Sequence, residues 1–357
     1  MVVPDHILVI GGNGFLGSHI VSELLAEKWP TKLKISVLDI RKPAVAKDNV
    51  TYLIGDITSE DDMRKAFEGV DLIIHTASPV HGLGRVVYFK VNVEGTRTII
   101  NVAKQVGVSG MVYTSSAGVV FNGGDLINVN ETAPIPAVAM DAYNESKAVA
   151  EKLVLDSNSS EFRTCAIRPA GLFGEGDRQL IPGMLSVLKN KQTRFQIGSN
   201  NNLFDFTYIG NAAFSHVLAA RKLLESPVKS SEYKTSTGEQ TNGVEGEAFF
   251  VSNGQPIYFW DFPRALYSYL NFKGHESYIV FPKNLAWYMG LASEYVSWIL
   301  GKEPTFTRFR VQFSCANRYY DISKARTRLG YYPKVGLEEG MKRSLSWCKE
   351  NGELPIF

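Results

Sequence analysis

Along the first half of the chain, short runs of apolar, β-branched residues alternate with stretches in which apolar positions recur every three or four residues. His6–Ile10 is such a run; it meets Gly11-Gly12-Asn13-Gly14-Phe15-Leu16-Gly17 and then a helical pattern over 18–27. Further strands are expected at 34–38, closing on Asp39, in a run that closes on Gly55-Asp56, and at 71–75, 111–114 and 164–168, with helices near 60–67 and 93–106. Strands and helices alternating at this spacing imply parallel pairing through right-handed crossovers, an α/β doubly wound sheet. Beyond Gly171 the alternation weakens and aromatic residues increase, so a second lobe begins there. The polar stretch 229–247 reads as a mobile surface loop.

The segment 284–301 is mostly apolar and includes Trp287, Tyr288, Tyr295 and Trp298. It is borderline in length for a membrane span of about 20 residues. Ser293, Glu294 and Ser297 share one helical face, which fits a helix lying on a bilayer, one covering an apolar pocket, or an ordinary core helix.

With 357 residues, 45% hydrophobic and 21% charged, the composition is that of a globular protein of one or two domains and excludes disordered and coiled-coil classes. A net charge of +2 is too balanced for a nucleic-acid footprint, so no nucleic-acid partner is expected. Cys165, Cys315 and Cys348 form no CxxC pair and suit a reducing compartment. The first residues lack the pattern of a signal peptide. Sequons occur at Asn130, Asn144 and Asn158, and a glycan on Asn144 would sit inside the motif described next, which also favours the cytosolic side.

Gly11, Gly14 and Gly17, between a strand and a helix, suit a turn that brings backbone against a pyrophosphate, with Asn13, Phe15 and Leu16 beside it. Asp39 lies 22 positions beyond Gly17, where a carboxylate accepts hydrogen bonds from an adenosine ribose and favours NAD. Arg41 would instead neutralise a 2′-phosphate, so NADP stays open. Tyr143 and Lys147, at i and i+4, share a helical face, and a neighbouring ammonium is expected to lower the phenol toward the working range of a general base. Ser116 ends the fifth strand 27 residues before Tyr143, where a hydroxyl orients a substrate oxygen. Six histidines without HExxH or a Cys/His cluster give no metal site. Trp260, Phe262, Tyr267 and Tyr269 either bury an apolar substrate or form core.

The glycine turn with Asp39, Asp56, Ser116 and the Tyr143/Lys147 pair resembles the extended short-chain dehydrogenase/reductases. Within them, Ile74-His75-Thr76-Ala77-Ser78-Pro79, Val112-Tyr113-Thr114-Ser115-Ser116, Arg168-Pro169-Ala170-Gly171 and Asp205-Phe206-Thr207-Tyr208-Ile209-Gly210-Asn211 resemble the 3β-hydroxysteroid dehydrogenase family nearly end to end. Phe121-Asn122-Gly123 and Gly176-Asp177-Arg178-Gln179 are most similar to its fungal branch acting on sterol 4α-carboxylates. Ile10 and Asn13 depart from the residues common in the superfamily's glycine motif.

The resemblance implies a Rossmann domain over 1–170 and a smaller substrate lobe over 171–357 with segments returning to the first. It adds Ile57, Thr76, Ala77, Ser78 and Pro169 to the cofactor contacts, with Tyr143, Lys147 and Ser116 catalytic. It also implies NAD(P)-dependent oxidation of a 3β-hydroxyl with loss of the C4 carboxylate in sterol biosynthesis, for which Arg178, in the loop after the sixth strand, is a candidate to recognise or release that carboxylate, or else a local cap or ion pair. Residence would be peripheral, on the cytosolic face of the endoplasmic reticulum membrane, with 284–301 touching the bilayer, beside other sterol C4-demethylation enzymes and as a homodimer. A nucleotide-sugar epimerase or dehydratase, or a dinucleotide sensor without activity, would share the fold.

Overall fold

In the computed structural model, residues 5–30, 32–225, 243–301 and 306–354 are described. Seven parallel strands form the central sheet, in the order Glu247–Val251, Arg163–Pro169, Gly110–Thr114, Leu72–His75, His6–Ile10, Lys34–Asp39, Val50–Ile54. The chain starts mid-sheet, winds outward one way and then returns to wind the other. The reversal lies between His6–Ile10 and Leu72–His75, so a crevice opens beyond their carboxyl ends.

Side chains alternate across these strands and supply two cores. Ile7 and Val9 face one with Ile20, Leu72 and Ile74, while Leu8 and Ile10 face the other with Ile73, Ile99 and Met111. This double burial explains why the strands read as unbroken apolar runs.

Three boundaries differ from the sequence pattern. The first helix is Phe15–Ala26, starting earlier because Gly14 is extended and the helix follows it directly. The 93–106 helix is the end of a longer one that runs from Arg85 through wide, π-helical turns at Phe89–Gly95 into Thr96–Val106. The polar stretch from 229 mostly lies outside the described residues, and its last member, Glu247, opens the seventh strand instead of closing a loop.

The later chain adds a small sheet in the order Ile257–Tyr258, Leu203–Phe204, Arg318–Tyr320, Leu126–Val129. Its Ile209–Glu225 helix packs back onto Phe15–Ala26. Phe262 is fully buried and stacks on Phe206 at 3.9 Å, and Tyr267 donates to the Met184 carbonyl, so these two are core, whereas Tyr269 lies at the surface.

Residues Lys283–Ile299 form a helix whose polarity is inverted. Its only buried residues are Ala286 and Gly290, while Trp298 is 75% and Tyr288 65% exposed, with Leu285, Tyr295, Val296 and Ile299 also outward. Glu294 instead turns inward and holds Arg308 through its backbone N–H at 2.8 Å and Nε at 2.7 Å. The helix is therefore neither a core helix nor part of the cleft wall described below. Among the described residues, no helix is long and apolar enough to cross a membrane.

Candidate active site

A cleft of about 880 Å³ runs across the carboxyl edge of the sheet and gathers most of the sequence candidates: Gly11, Gly14, Phe15, Leu16, Gly17, Asp39, Arg41, Asp56, Ile57, Thr76, Ala77, Ser78, Ser116, Tyr143, Lys147 and Pro169. Asn13 lies just behind them; its backbone N–H donates to Asp39 Oδ2 at 3.2 Å and its amide to the Arg41 carbonyl at 2.7 Å, so the departure from the common glycine motif ties the turn to the second strand.

The glycine turn is as tight as backbone permits. Gly11 has φ +80°, and a Cβ there would lie 2.7 Å from Ala77 Cα. One on Gly17 would overlap the Gly11 carbonyl oxygen. Gly14 offers no side-chain cap and the first turn of Phe15–Ala26 carries no acid, so the helix leaves its N–H groups for an anion. Asp39, nearly buried, also accepts the Arg41 N–H at 3.1 Å and stands at the end of the second strand. The cradle and the carboxylate fit a dinucleotide with a free ribose 2′-hydroxyl. Asp56 mainly shapes its own turn, accepting from the Thr58 N–H and hydroxyl at 2.9 Å each.

Asp141 caps the helix Ala142–Asp156, accepting from the Asn144 N–H at 2.7 Å and its side-chain amide at 2.9 Å. Asn144 is thus buried and engaged, with no room for a glycan. From this helix Tyr143 reaches the cleft, packed against the His81 ring at 4.0 Å and edge-on to Tyr88 at 5.6 Å. Sequence reasoning missed His81, because it weighed histidines only as metal ligands. Lys147, 2% exposed, donates to the Thr114 carbonyl and lies 4.3 Å from the Tyr113 ring centroid. Ser116 accepts the Gly118 N–H at 3.0 Å, so its hydroxyl caps a turn while facing the cleft.

The expected lowering of the Tyr143 phenol is not found. Burial raises it, with Asp141 and Tyr88 adding. Burial also lowers the Lys147 ammonium to about 7, against a smaller upward pull from Glu151. The reason is geometric: the lysine head is drawn to Thr114 and Tyr113, and two buried groups lose more from desolvation than proximity along one helix face returns.

At the far end the cleft is apolar, walled by Leu172, Leu180, Phe204, Phe309 and Phe313, with Arg178 exposed at its rim and Arg318 within the wall. Arg318 had no sequence signal. Among the described residues, no group of three or more His, Cys, Asp or Glu could hold a metal ion.

The fold and this cleft define an extended short-chain dehydrogenase/reductase. Crystal structures similar in fold include gox2253, with TM-score 0.76, 21% identity and 98% and 99% of the two chains covered. Thermus thermophilus UDP-glucose 4-epimerase complexed with NAD follows at TM-score 0.68, 20% identity and coverage of 96% and 99%. Residues 8–283 match the 3-beta hydroxysteroid dehydrogenase/isomerase family, and the chain belongs to it. Among curated proteins it is 50% identical to the decarboxylating sterol-4-alpha-carboxylate 3-dehydrogenase of Schizosaccharomyces pombe, covering 97% of this chain and 98% of that one. The Saccharomyces cerevisiae protein of that name is 47% identical at the same coverage, and the human one 34% over 94% and 86%.

Proposed function

We propose that the chain oxidises the 3β-hydroxyl of 4α-carboxysterols to the 3-ketone, with NAD as acceptor and loss of the carboxylate as carbon dioxide. The observation that carries this is one continuous cleft: a glycine cradle and Asp39 at one end, Ser116, Tyr143 and Lys147 midway, and a phenylalanine-lined arm at the other. Similarity over nearly the whole chain to enzymes named for this reaction supports it.

The glycine turn and the N-terminus of Phe15–Ala26 would hold the pyrophosphate, and Asp39 the adenosine ribose. When bound, NAD supplies a nicotinamide that accepts the hydride from C3. Tyr143 as phenolate takes the hydroxyl proton, Ser116 holds that oxygen, and Lys147 compensates the phenolate charge. The 3-ketone stands next to the carbon bearing the carboxylate. When that C–C bond breaks, its electron pair moves into the carbonyl as an enolate and neutral carbon dioxide leaves. Tyr143, now a phenol beside the enolate oxygen, is positioned to stabilise it by donating a hydrogen bond.

The test follows reduced cofactor and carbon dioxide together from purified protein, NAD and a 4α-carboxy-3β-hydroxysterol. Equal yields are expected. Reduced cofactor without carbon dioxide would leave a simple hydroxysteroid dehydrogenase, and turnover of a UDP-sugar in place of the sterol would restore the epimerase reading.

We also propose that Lys283–Ile299 rests on a lipid surface, at the cytosolic face of the endoplasmic reticulum. Its outward apolar face with Tyr288, Tyr295 and Trp298 supports this, since such aromatics favour the bilayer interface. The neighbouring Arg308–Cys315 helix links it to the cleft, contributing Phe309 and Phe313 to the wall. The protein should sediment with phosphatidylcholine vesicles, and Y295S/W298S should abolish this. Sedimentation unchanged in the variant, or a wild type that fractionates away from endoplasmic reticulum markers, would refute the placement.

A further inference from the structure

Arg318 is a buried cation that the fold answers with aromatic rings and the Tyr320 hydroxyl but with no carboxylate among the described residues. It is 8% exposed, yet its Nε and Nη1 have no hydrogen-bond partner, and among the described residues it pairs with no carboxylate. Its guanidinium lies 4.2 Å from the Phe121 ring centroid, 4.5 Å from that of Phe313 and 5.3 Å from that of Phe204. Aromatic rings compensate part of a desolvated positive charge, but they do not take the in-plane N–H groups, which are shaped for an oxyanion.

The nearby Asp205 does not supply that oxyanion, for a reason visible in the register. Arg318 pairs with Phe204, so the two side chains share a face of the small sheet and Asp205 points to the other. There Asp205 accepts the Tyr320 N–H at 2.9 Å. Arg318 thus lines the apolar arm of the cleft with the Tyr320 hydroxyl beside it and no carboxylate partner among the described residues. The strand Arg318–Tyr320 is tied to the Ser116 turn, because the Tyr320 hydroxyl donates to the Ala117 carbonyl at 3.3 Å.

We propose that Arg318 binds the C4 carboxylate of the substrate and selects carboxylated over uncharged sterols; this rests on the sterol reading above. In a 4α-carboxysterol the carboxylate sits on the carbon next to the one that is oxidised, so a site for it must adjoin Ser116 and Tyr143. A planar guanidinium matches it with two parallel hydrogen bonds in a water-poor cage. Arg178, the sequence candidate, is exposed at the rim, where water weakens any such pair. The pairing belongs to the ground state, because departure of carbon dioxide removes the anion. Arg318 therefore acts on capture and specificity, with little effect on the chemical step. Once carbon dioxide leaves, the arginine is again without a carboxylate and the neutral ketone is held less tightly than the acid was.

The experiment compares wild type, R318M, R318K and R178A on a 4α-carboxy-3β-hydroxysterol and on its 4α-methyl counterpart. R318M should raise KM for the acid about 100-fold or more, as loss of a buried charged partner does, while kcat/KM for the methyl sterol holds or rises. R318K keeps the charge without the fork and should fall between. R178A should change neither substrate. R318M should still fold, because methionine keeps the packing against the rings and removes a buried charge that has no carboxylate partner. Equal losses on both sterols in R318M and R318K, or a selective loss in R178A instead, would overturn the assignment. Failure of the wild type to oxidise the acid would instead refute the sterol reading itself.

Discussion

Y143F is expected to lower kcat about 100- to 10,000-fold, the usual worth of a positioned proton-transfer group, while leaving the fold intact. The ring contacts with His81 and Tyr88 do not involve the hydroxyl, so phenylalanine keeps the packing and removes only the acid–base atom. Steady-state kinetics with a thermal melt on the same samples checks this, and a loss smaller than tenfold would remove Tyr143 from the proton transfer. The pH profile adds a second reading. With Lys147 lowered to about 7 by burial and the phenol raised, the pair loses its first proton near neutrality. Neutral Lys147 is then available as the acceptor to which the Tyr143 proton moves when the phenolate forms. Wild-type kcat/KM should therefore rise through a single-proton limb near pH 7, and K147M should lack the limb.

E151A should destabilise the protein by about 3–5 kcal/mol, the cost of leaving a buried charge without its partner. Glu151 and Arg168 are 1% and 6% exposed and meet through Arg168 Nε to Oε2 at 2.8 Å and Nη2 to Oε1 at 2.5 Å. The pair clamps Ala142–Asp156, which carries Tyr143 and Lys147, onto the strand that ends at Pro169. Denaturant unfolding measures the loss. The double change E151L/R168M should recover most of it, because two apolar side chains leave no stranded charge. A single variant within 1 kcal/mol of wild type would mean that water reaches Arg168. Glu151 also raises Lys147, so E151Q, if folded, should move the pH limb downward.

What could be read from the chain was what is local. The glycine turn, Asp39 at a strand end and the Tyr143/Lys147 spacing each occupy one strand–helix junction or one helical turn, so sequence order carries their geometry. Most of the central sheet was legible for the same reason, because its inner strands are buried apolar runs. Arg318 was not, since it lies on a three-residue strand whose partners are Phe204 and Leu126. Strands so short show no periodicity, and nothing nearby in sequence marks the cleft. Nor does composition separate Phe262, in the core, from Phe309 and Phe313, in the cleft wall. The seventh strand escaped because a polar stretch precedes it and its partner, Arg163–Pro169, lies far back in the chain. Helix spacing placed Lys147 beside Tyr143, but only the folded sheet brings the Thr114 carbonyl to the ammonium.

The inverted helix at Lys283–Ile299 sets a conflict between handling the protein and using it. In dilute buffer its apolar face invites self-association, and the obvious remedy is to replace its outward tyrosines and tryptophan with polar residues. Such a surface-engineered chain would concentrate well and turn over sterol presented in detergent micelles. On the lipid-surface proposal it would also lose its hold on the phase in which a sterol is dissolved, so soluble yield and turnover of vesicle-borne substrate should move in opposite directions.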